Sequence, residues 1–91
     1  MAFTDAEIAK AHQAVRETGL SEDLYKLGLI YSTGHGVSAD LIQAHMWFNL
    51  AAARGSDDAK ECRRELAEQM NSSEIARAQK LAREWLSVRR H

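Results

Sequence analysis

The apolar residues of this chain are densest between Leu27 and Gly55, in the run LGLIYSTGHGVSADLIQAHMWFNLAAARG. In its second half, from Leu41 to Ala53, apolar residues occupy nearly every side of a helical wheel. A helix that is apolar all round must be covered on more than one side, and this one is well short of the ~20 residues that a bilayer requires. The pattern therefore predicts the central helix of a small soluble domain.

Two shorter amphipathic stretches precede that helix. Thr4 and Glu7 have the spacing of a capping box, which predicts a first helix that ends at Gly19, a residue suited to a helix C-terminus. A second helix is predicted from about Glu22 to Thr33, with Leu20 packing onto Tyr25 at its start. Its inward residues are predicted to be Leu24, Leu27, Ile30 and Tyr31, with Gly28 allowing close contact with the central helix.

Two more helices are predicted after Gly55. Ser56 has the position of an N-cap for a fourth helix, whose apolar stripe comprises Ala59, Cys62, Leu66 and Met70. Asn71, with Glu74 three residues later, repeats the capping box of the first helix. The fifth helix carries apolar residues three and four apart, which are Ile75, Ala78, Leu81, Ala82, Trp85 and Leu86. Beyond it lies a basic tail at 87–91, which we expect to fray.

The central run also carries a specific set of small and aromatic residues in fixed order. These are Leu27, Gly28, Tyr31, Gly34, Gly36, Val37, Asp40, Ala44, Trp47, Ala51, Ala52, Gly55 and Ala59. In this spacing the chain resembles the Sel1-like repeat, a helix-turn-helix relative of the tetratricopeptide repeat.

The resemblance implies an all-α fold of helical hairpins in a single domain at 1–91. Its parts would be an N-terminal helix at 4–19, one Sel1-like repeat at 21–55, and C-terminal capping helices at 56–88 that close the repeat's open end. It also implies a bacterial protein that acts as a scaffold for another protein.

Charge and cysteine content narrow the function classes. The 91 residues include 13 acidic and 12 basic side chains, with a net charge of −1. That balance lacks the clustered basic face that nucleic-acid binding needs. Cys62, the one cysteine, excludes an intramolecular disulfide framework. The N-terminal residues do not resemble a signal peptide, so we expect a cytoplasmic protein that binds neither membrane nor nucleic acid.

The candidate chemistry is sparse. His35 and His45 are the two histidines predicted to approach each other, and no further ligand completes a metal site. His35 lies between two glycines on a turn, where both a partner contact and simple solvation stay open. Cys62 is predicted to be a buried small hydrophobe. We find no nucleophile constellation and no phosphate loop, so no cofactor and no enzyme activity are expected; a hydrolase, reported for some disulfide-bonded relatives, is the remote alternative.

The tryptophans and the charged face of the fourth helix also have two interpretations each. Trp47 and Trp85 could be interface anchors, but their periodic positions favour packing in the core. The alternating charges of this helix favour a solvated face; they are carried by Lys60, Glu61, Arg63, Arg64, Glu65 and Glu68.

A protein-binding adaptor or small regulator is therefore the leading hypothesis. The predicted contact residues are Lys26, Leu29, His35, Arg89, Arg90 and His91. A narrower version makes the chain a regulator or substrate of an ATP-dependent protease such as Lon, recognised through the C-terminal tail. The alternative is a self-associating structural module. The expected state in solution is a monomer or weak homodimer.

Overall fold

Five α-helices follow one another in the computed structural model, which describes residues 3–34 and 40–89. They are α1 (Asp5–Glu17), α2 (Ser21–Thr33), α3 (Leu41–Ala53), α4 (Asp57–Ala67) and α5 (Ser72–Arg89). No strand occurs within those two ranges. The predicted all-α class and the number of helices are confirmed.

Three of the predicted helix starts are made by side chains that cap the free N–H groups of the first turn. Thr4 Oγ1 accepts from the Glu7 N–H at 3.1 Å, and the Glu7 carboxylate accepts from the Thr4 N–H at 3.1 Å. Asn71 and Glu74 form the same reciprocal pair at the start of α5, at 2.8 and 2.9 Å. Ser56 Oγ accepts from the backbone of α4 at 3.1 Å. Each cap satisfies donors that a helix cannot satisfy by itself.

The start of α2 differs from the prediction. The N-cap is Leu20, and no side chain makes a cap hydrogen bond. The Leu20 carbonyl accepts from the N–H groups of Asp23 and Leu24, both at 3.1 Å, so the helix begins at Ser21 and not at Glu22. Leu20 stays 52% exposed, so its predicted packing onto Tyr25 buries little of it.

The helix α3 lies at the centre of the molecule. It spans the predicted residues and packs against α2, α4 and α5, whereas α1 packs chiefly against α2. The side chains of Trp47, Phe48 and Leu50 on α3 are all buried. An apolar helix covered on three sides is what the sequence predicted.

Contact between α2 and α3 is closest at Gly28. A Cβ atom at this position would lie 2.4 Å from the ring of Phe48, a distance that no carbon pair tolerates. Leu24, Leu27 and Ile30 on the same helix are fully buried. The predicted close approach at the glycine is confirmed.

Trp47 connects the central helix with both α1 and α5. Its side chain is 6% exposed, which confirms the core position. The indole lies edge-to-face with His12 at 6.1 Å between ring centroids and with Trp85 at 6.1 Å. Such aromatic pairs each add about 0.5–1.5 kcal/mol beyond the burial of their area.

Two details of α4 and α5 differ from the expectations. Cys62 is half-buried and not enclosed, because it lies at the edge of the apolar stripe beside Tyr25. Helix α5 continues to Arg89, so the first three residues of the predicted basic tail are helical.

Candidate functional site

The predicted contact residues do not form one cluster. Lys26 is exposed on α2, and Leu29, one turn later on the same helix, is half-buried against the core. Arg89 is the last residue of α5. His35, Arg90 and His91 lie outside the described residues. The described chain instead has at least three surface grooves, and Lys26 and Leu29 line two different ones.

The first groove, here the Leu29 groove, lies where α2, α3 and α4 meet and encloses about 230 Å³. Its lining residues are Leu29, Ser32, Leu41, Phe48, Cys62, Glu65, Leu66 and Gln69. Apolar side chains from all three helices form the floor, and polar ones form much of the rim. An apolar centre with a polar rim is the usual anatomy of a protein–protein contact.

The second groove, here the Lys26 groove, lies between α1 and α2 and encloses about 410 Å³. Its lining residues are Lys10, Ala11, Gln13, Ala14, Glu17, Asp23 and Lys26. Two lysines face two carboxylates across short side chains, so the charges balance. This groove therefore offers neither an apolar floor nor a net charge to attract a partner.

The third groove, here the His45 groove, is the largest of these three, at about 630 Å³. Its lining residues are His45, Asn49, Lys60, Glu61, Arg63, Arg64, Ala67, Ile75 and Gln79. Among the described residues α4 and α5 each pack against α3 far more than against each other. The groove is the space between them, with His45 and Asn49 of α3 at its floor.

Buried polar atoms and a half-buried cation meet in the His45 groove. His45 is 3% exposed, and its Nδ1 has no hydrogen-bond partner among the described residues. Arg63 donates from its guanidinium to Asn49 Oδ1 at 2.6 Å. Burial lowers the pKa of His45, and the charge of Arg63 lowers it further, so the imidazole is neutral at physiological pH.

His12 has a structural position on another side of α3. Its Nε2 lies 3.1 Å from the hydroxyl of Tyr31, and its ring packs against Trp47. Partial burial lowers the pKa of His12, with a smaller contribution from Arg16. The neutral ring therefore serves as a packing element and hydrogen-bond partner between α1 and α2.

The single thiol belongs to the rim of the Leu29 groove. Cys62 Sγ lies 3.9 Å from the hydroxyl of Tyr25, a weak hydrogen bond of the kind sulfur makes. Burial raises the pKa of Tyr25, and the contact with Cys62 raises it further. Tyr25 is therefore neutral at physiological pH, and the two side chains act as packing groups with a polar edge.

The described ranges also bear on two other kinds of contact, with a metal ion and with a membrane. No three His, Cys, Asp or Glu side chains at 3–34 and 40–89 come together as metal ligands. Across the same ranges, no helix is both long enough and apolar enough to cross a membrane.

The order of the elements and the close α2–α3 hairpin match a known repeat. A family model of the Sel1 repeat matches residues 21–56, a range that includes α2, α3 and the N-cap of α4. Residues 21–56 are therefore identified as a Sel1-like repeat. No curated protein and no solved structure matches it. Sel1 repeats generally mediate protein–protein interactions, and the family is an interaction scaffold rather than a catalytic one.

Two of the grooves lie at the junction between the Sel1 repeat and the helices that follow it. The repeat contributes the floor of both grooves, through Leu29 and Phe48 in one and His45 and Asn49 in the other. Helix α4 contributes one wall of each. The Sel1 repeat thus needs its neighbouring helices to complete both surfaces.

Sequence reasoning did not find the His45 groove. It assigned His45 a structural or surface role and placed Arg63 on a solvated face. The available signal was that His45 and Asn49, four residues apart, share one side of an otherwise apolar helix. Arg63 and Arg64 also occupy the positions at which a second copy of the repeat would have the counterparts of Leu27 and Gly28. Polar residues at positions that the repeat keeps apolar or small mark an open surface.

Proposed function

We propose that this Sel1-repeat protein is an adaptor that binds another protein through the Leu29 groove. The observation that carries the proposal is the apolar floor shared by α2, α3 and α4, in which Leu29, Leu41 and Cys62 are only half-buried. A fully packed core would enclose apolar side chains like these. An accessible floor provides the apolar anchor point from which interfaces draw most of their affinity.

The shape of this groove favours a short partner segment over a flat surface. A volume of about 230 Å³ accommodates one or two apolar side chains. Ser32, Glu65 and Gln69 at the rim offer hydrogen-bond donors and acceptors to the backbone beside them. The segment that fits is therefore a few residues long, with an apolar side chain flanked by polar ones.

Cross-linked affinity capture from the native cell tests this proposal. Leu29→Glu places a carboxylate in the groove, and we expect it to remove the captured partner. Ala6→Glu, on the exposed start of α1 and outside all three grooves, is the matched control and should leave capture unchanged. Thermal unfolding of both variants verifies the fold. Equal capture by the wild type and Leu29→Glu would reject this groove as the binding surface.

A narrower form of the proposal places the decisive contact at the C-terminal residues Arg89, Arg90 and His91. In it the protein is a regulator or substrate of an ATP-dependent protease such as Lon. It is supported by Val88, a large apolar side chain that is 74% exposed in the last turn of α5. Exposed apolar side chains beside a basic segment are a ready contact for another protein.

Deletion of Arg90 and His91 separates this form from the groove. If the tail is the contact, the deletion abolishes partner capture and leaves thermal stability unchanged. If capture persists in the deletion and is lost in Leu29→Glu, the groove is the contact and the protease form is rejected.

Self-association is the competing function. Leu20 and Val88 are exposed large apolar residues, at 52% and 74%, and a second copy could cover them. Sedimentation at micromolar concentration distinguishes the two, since a tight homodimer favours a structural module and a monomer favours the adaptor.

A further inference from the structure

Resting on the adaptor function proposed above, we propose that the His45 groove binds the side-chain carboxylates of an acidic segment in the partner protein. The groove is separate from the Leu29 groove and lies between α4 and α5. It thus gives the adaptor a second contact with different chemistry.

The imidazole of His45 is buried at the floor of the groove. His45 lines the groove and is 3% exposed, and its Nδ1 has no partner among the described residues. Nearly all buried polar groups in folded proteins are hydrogen-bonded. Trp47 Nε1 is also buried without a partner among the described residues, but Trp47 lines none of the three grooves. His45 lines this one, so a partner that enters the groove can supply the missing bond. As a donor, Nδ1–H would be satisfied by a carboxylate oxygen.

The guanidinium of Arg63 is held in a fixed position at the same groove. Arg63 is half-buried, and its hydrogen bond of 2.6 Å to the neutral Asn49 side chain holds it in place. This bond uses the amide oxygen of Asn49 and leaves the amide N–H groups free to donate. Arg63 also retains N–H groups on the other nitrogens of its planar fork. A guanidinium held in one orientation beside an amide N–H donor can bind both oxygens of a carboxylate.

The charged side chains that line the His45 groove are mostly basic. Lys60, Arg63 and Arg64 face the groove with Glu61 as the one lining carboxylate. Glu61 is paired with Arg64, so Lys60 and Arg63 remain to attract an anion. Lys60 approaches Asp57 at 3.5 Å, but both side chains are largely exposed, and such surface pairs hold weakly.

An acidic peptide fits this groove better than other anions do. A volume of about 630 Å³ accommodates several side chains, whereas a single inorganic phosphate would fill little of it. Ala67 and Ile75 add apolar wall that a peptide can contact. Nucleic acid needs a wide basic surface, and a chain of net charge −1 with Glu61 in the groove does not offer one.

Selection from a random library of blocked twelve-residue peptides tests the proposal, because it requires no knowledge of the partner. We expect the wild type to enrich peptides rich in Asp and Glu. Arg63→Gln should bind the enriched peptides about tenfold more weakly, as the loss of a charge-assisted hydrogen bond would give. Arg77→Gln, an exposed arginine of α5 outside the groove, is the matched control and should bind like the wild type.

Histidine NMR locates the contact. Added acidic peptide should move the ring resonances of His45 in the wild type and in Arg77→Gln, and leave those of His12 in place. Replacing Glu by Gln in the peptide should abolish the shift, and phosphate at the same concentration should not reproduce it. Neutral or basic enriched peptides, unchanged binding by Arg63→Gln, or a shift with phosphate alone would each overturn the proposal.

This outcome is distinguishable from failure of the adaptor function. If acidic selection fails while Leu29→Glu still removes the captured partner, the His45 groove is not a contact and the adaptor stands. If acidic peptides are not selected and Leu29→Glu still captures the partner, both proposals are rejected.

Discussion

Gly28 and Phe48 set how closely the two helices of the Sel1 repeat approach each other. The ring of Phe48 occupies the space where any other residue at position 28 would place its Cβ, only 2.4 Å away. Glycine normally weakens a helix interior by about 1 kcal/mol relative to alanine. Here the close packing that it permits outweighs the weaker propensity.

Gly28→Ala should therefore destabilise the protein by about 1–3 kcal/mol, the usual effect of overpacking a core. Urea unfolding measures the change. In a Phe48→Leu background, where the ring is absent, the same substitution should cost less. A more stable Gly28→Ala protein would show that the helices separate easily and that helix propensity dominates at this position.

His45 and His12 make stability depend on pH. Burial, assisted by a nearby arginine in each case, lowers both pKa values below the ordinary 6.5. The unfolded chain therefore binds protons at a higher pH than the folded one does. The contribution of these rings is complete above about pH 6.5 and is lost as pH falls through the folded pKa.

We expect the free energy of unfolding to fall as pH is lowered from 7 to 5. Urea titrations at a series of pH values measure the slope. His45→Gln should flatten it in this range, and the double variant with His12→Gln should flatten it further. A slope that neither substitution changes would assign the effect to other groups.

At the scale of the elements, the last helix depends most clearly on its cap. Helix α5 packs mainly against α3, and its first turn is fixed by the reciprocal bonds of Asn71 and Glu74. A capping residue of this kind contributes about 1 kcal/mol.

Asn71→Ala should lower the free energy of unfolding by about 1 kcal/mol. Ser73→Ala is the matched control, because Ser73 is exposed within the first turn and is not the cap residue. Chemical denaturation of the two variants gives the comparison. Equal stability of both variants would contradict the role of the cap.

Local sequence signals predicted most of these elements. The bounds of α3, the caps at Thr4, Ser56 and Asn71, and the buried Trp47 all follow from residue spacing within one or two turns. The start of α2 did not follow, because the carbonyl of Leu20 begins the helix without a side-chain cap. Backbone contacts of that kind leave no mark in the sequence.

In the whole molecule the helices are arranged around α3, and they differ in how extensively each one is packed against its neighbours. Helix α3 is covered by three neighbours, whereas α1 packs chiefly against α2. Regions with less packing open at lower free energy than the core. The radius of gyration, 12.2 Å, equals the value of about 12 Å expected for a compact chain of this length.

Hydrogen exchange should therefore rank the helices. Amides of α3 should exchange most slowly, at the rate set by global unfolding, and those of α1 should exchange fastest among the five. Mass spectrometry after timed deuteration measures both. Equal protection of α1 and α3 would mean that the chain opens as one unit.

The site was less predictable than the fold. Leu29 was predicted to be a contact residue at an exposed position of the second helix. It is half-buried and lines a groove, and its contact with a partner stays a prediction. The His45 groove depends on how far α4 diverges from α5, a tertiary relation that no local spacing encodes. His45 and Arg63 are 18 positions apart in the sequence, so only their common position beside α3 brings them together.

The indole of Trp47 touches one ring from the first helix and one from the last, each at 6.1 Å between centroids. Its ultraviolet emission therefore responds to displacement of either His12 or Trp85. In a Trp85→Phe variant, Trp47 is the one tryptophan of the chain, and its fluorescence then follows events at the first and last helices through a single chromophore.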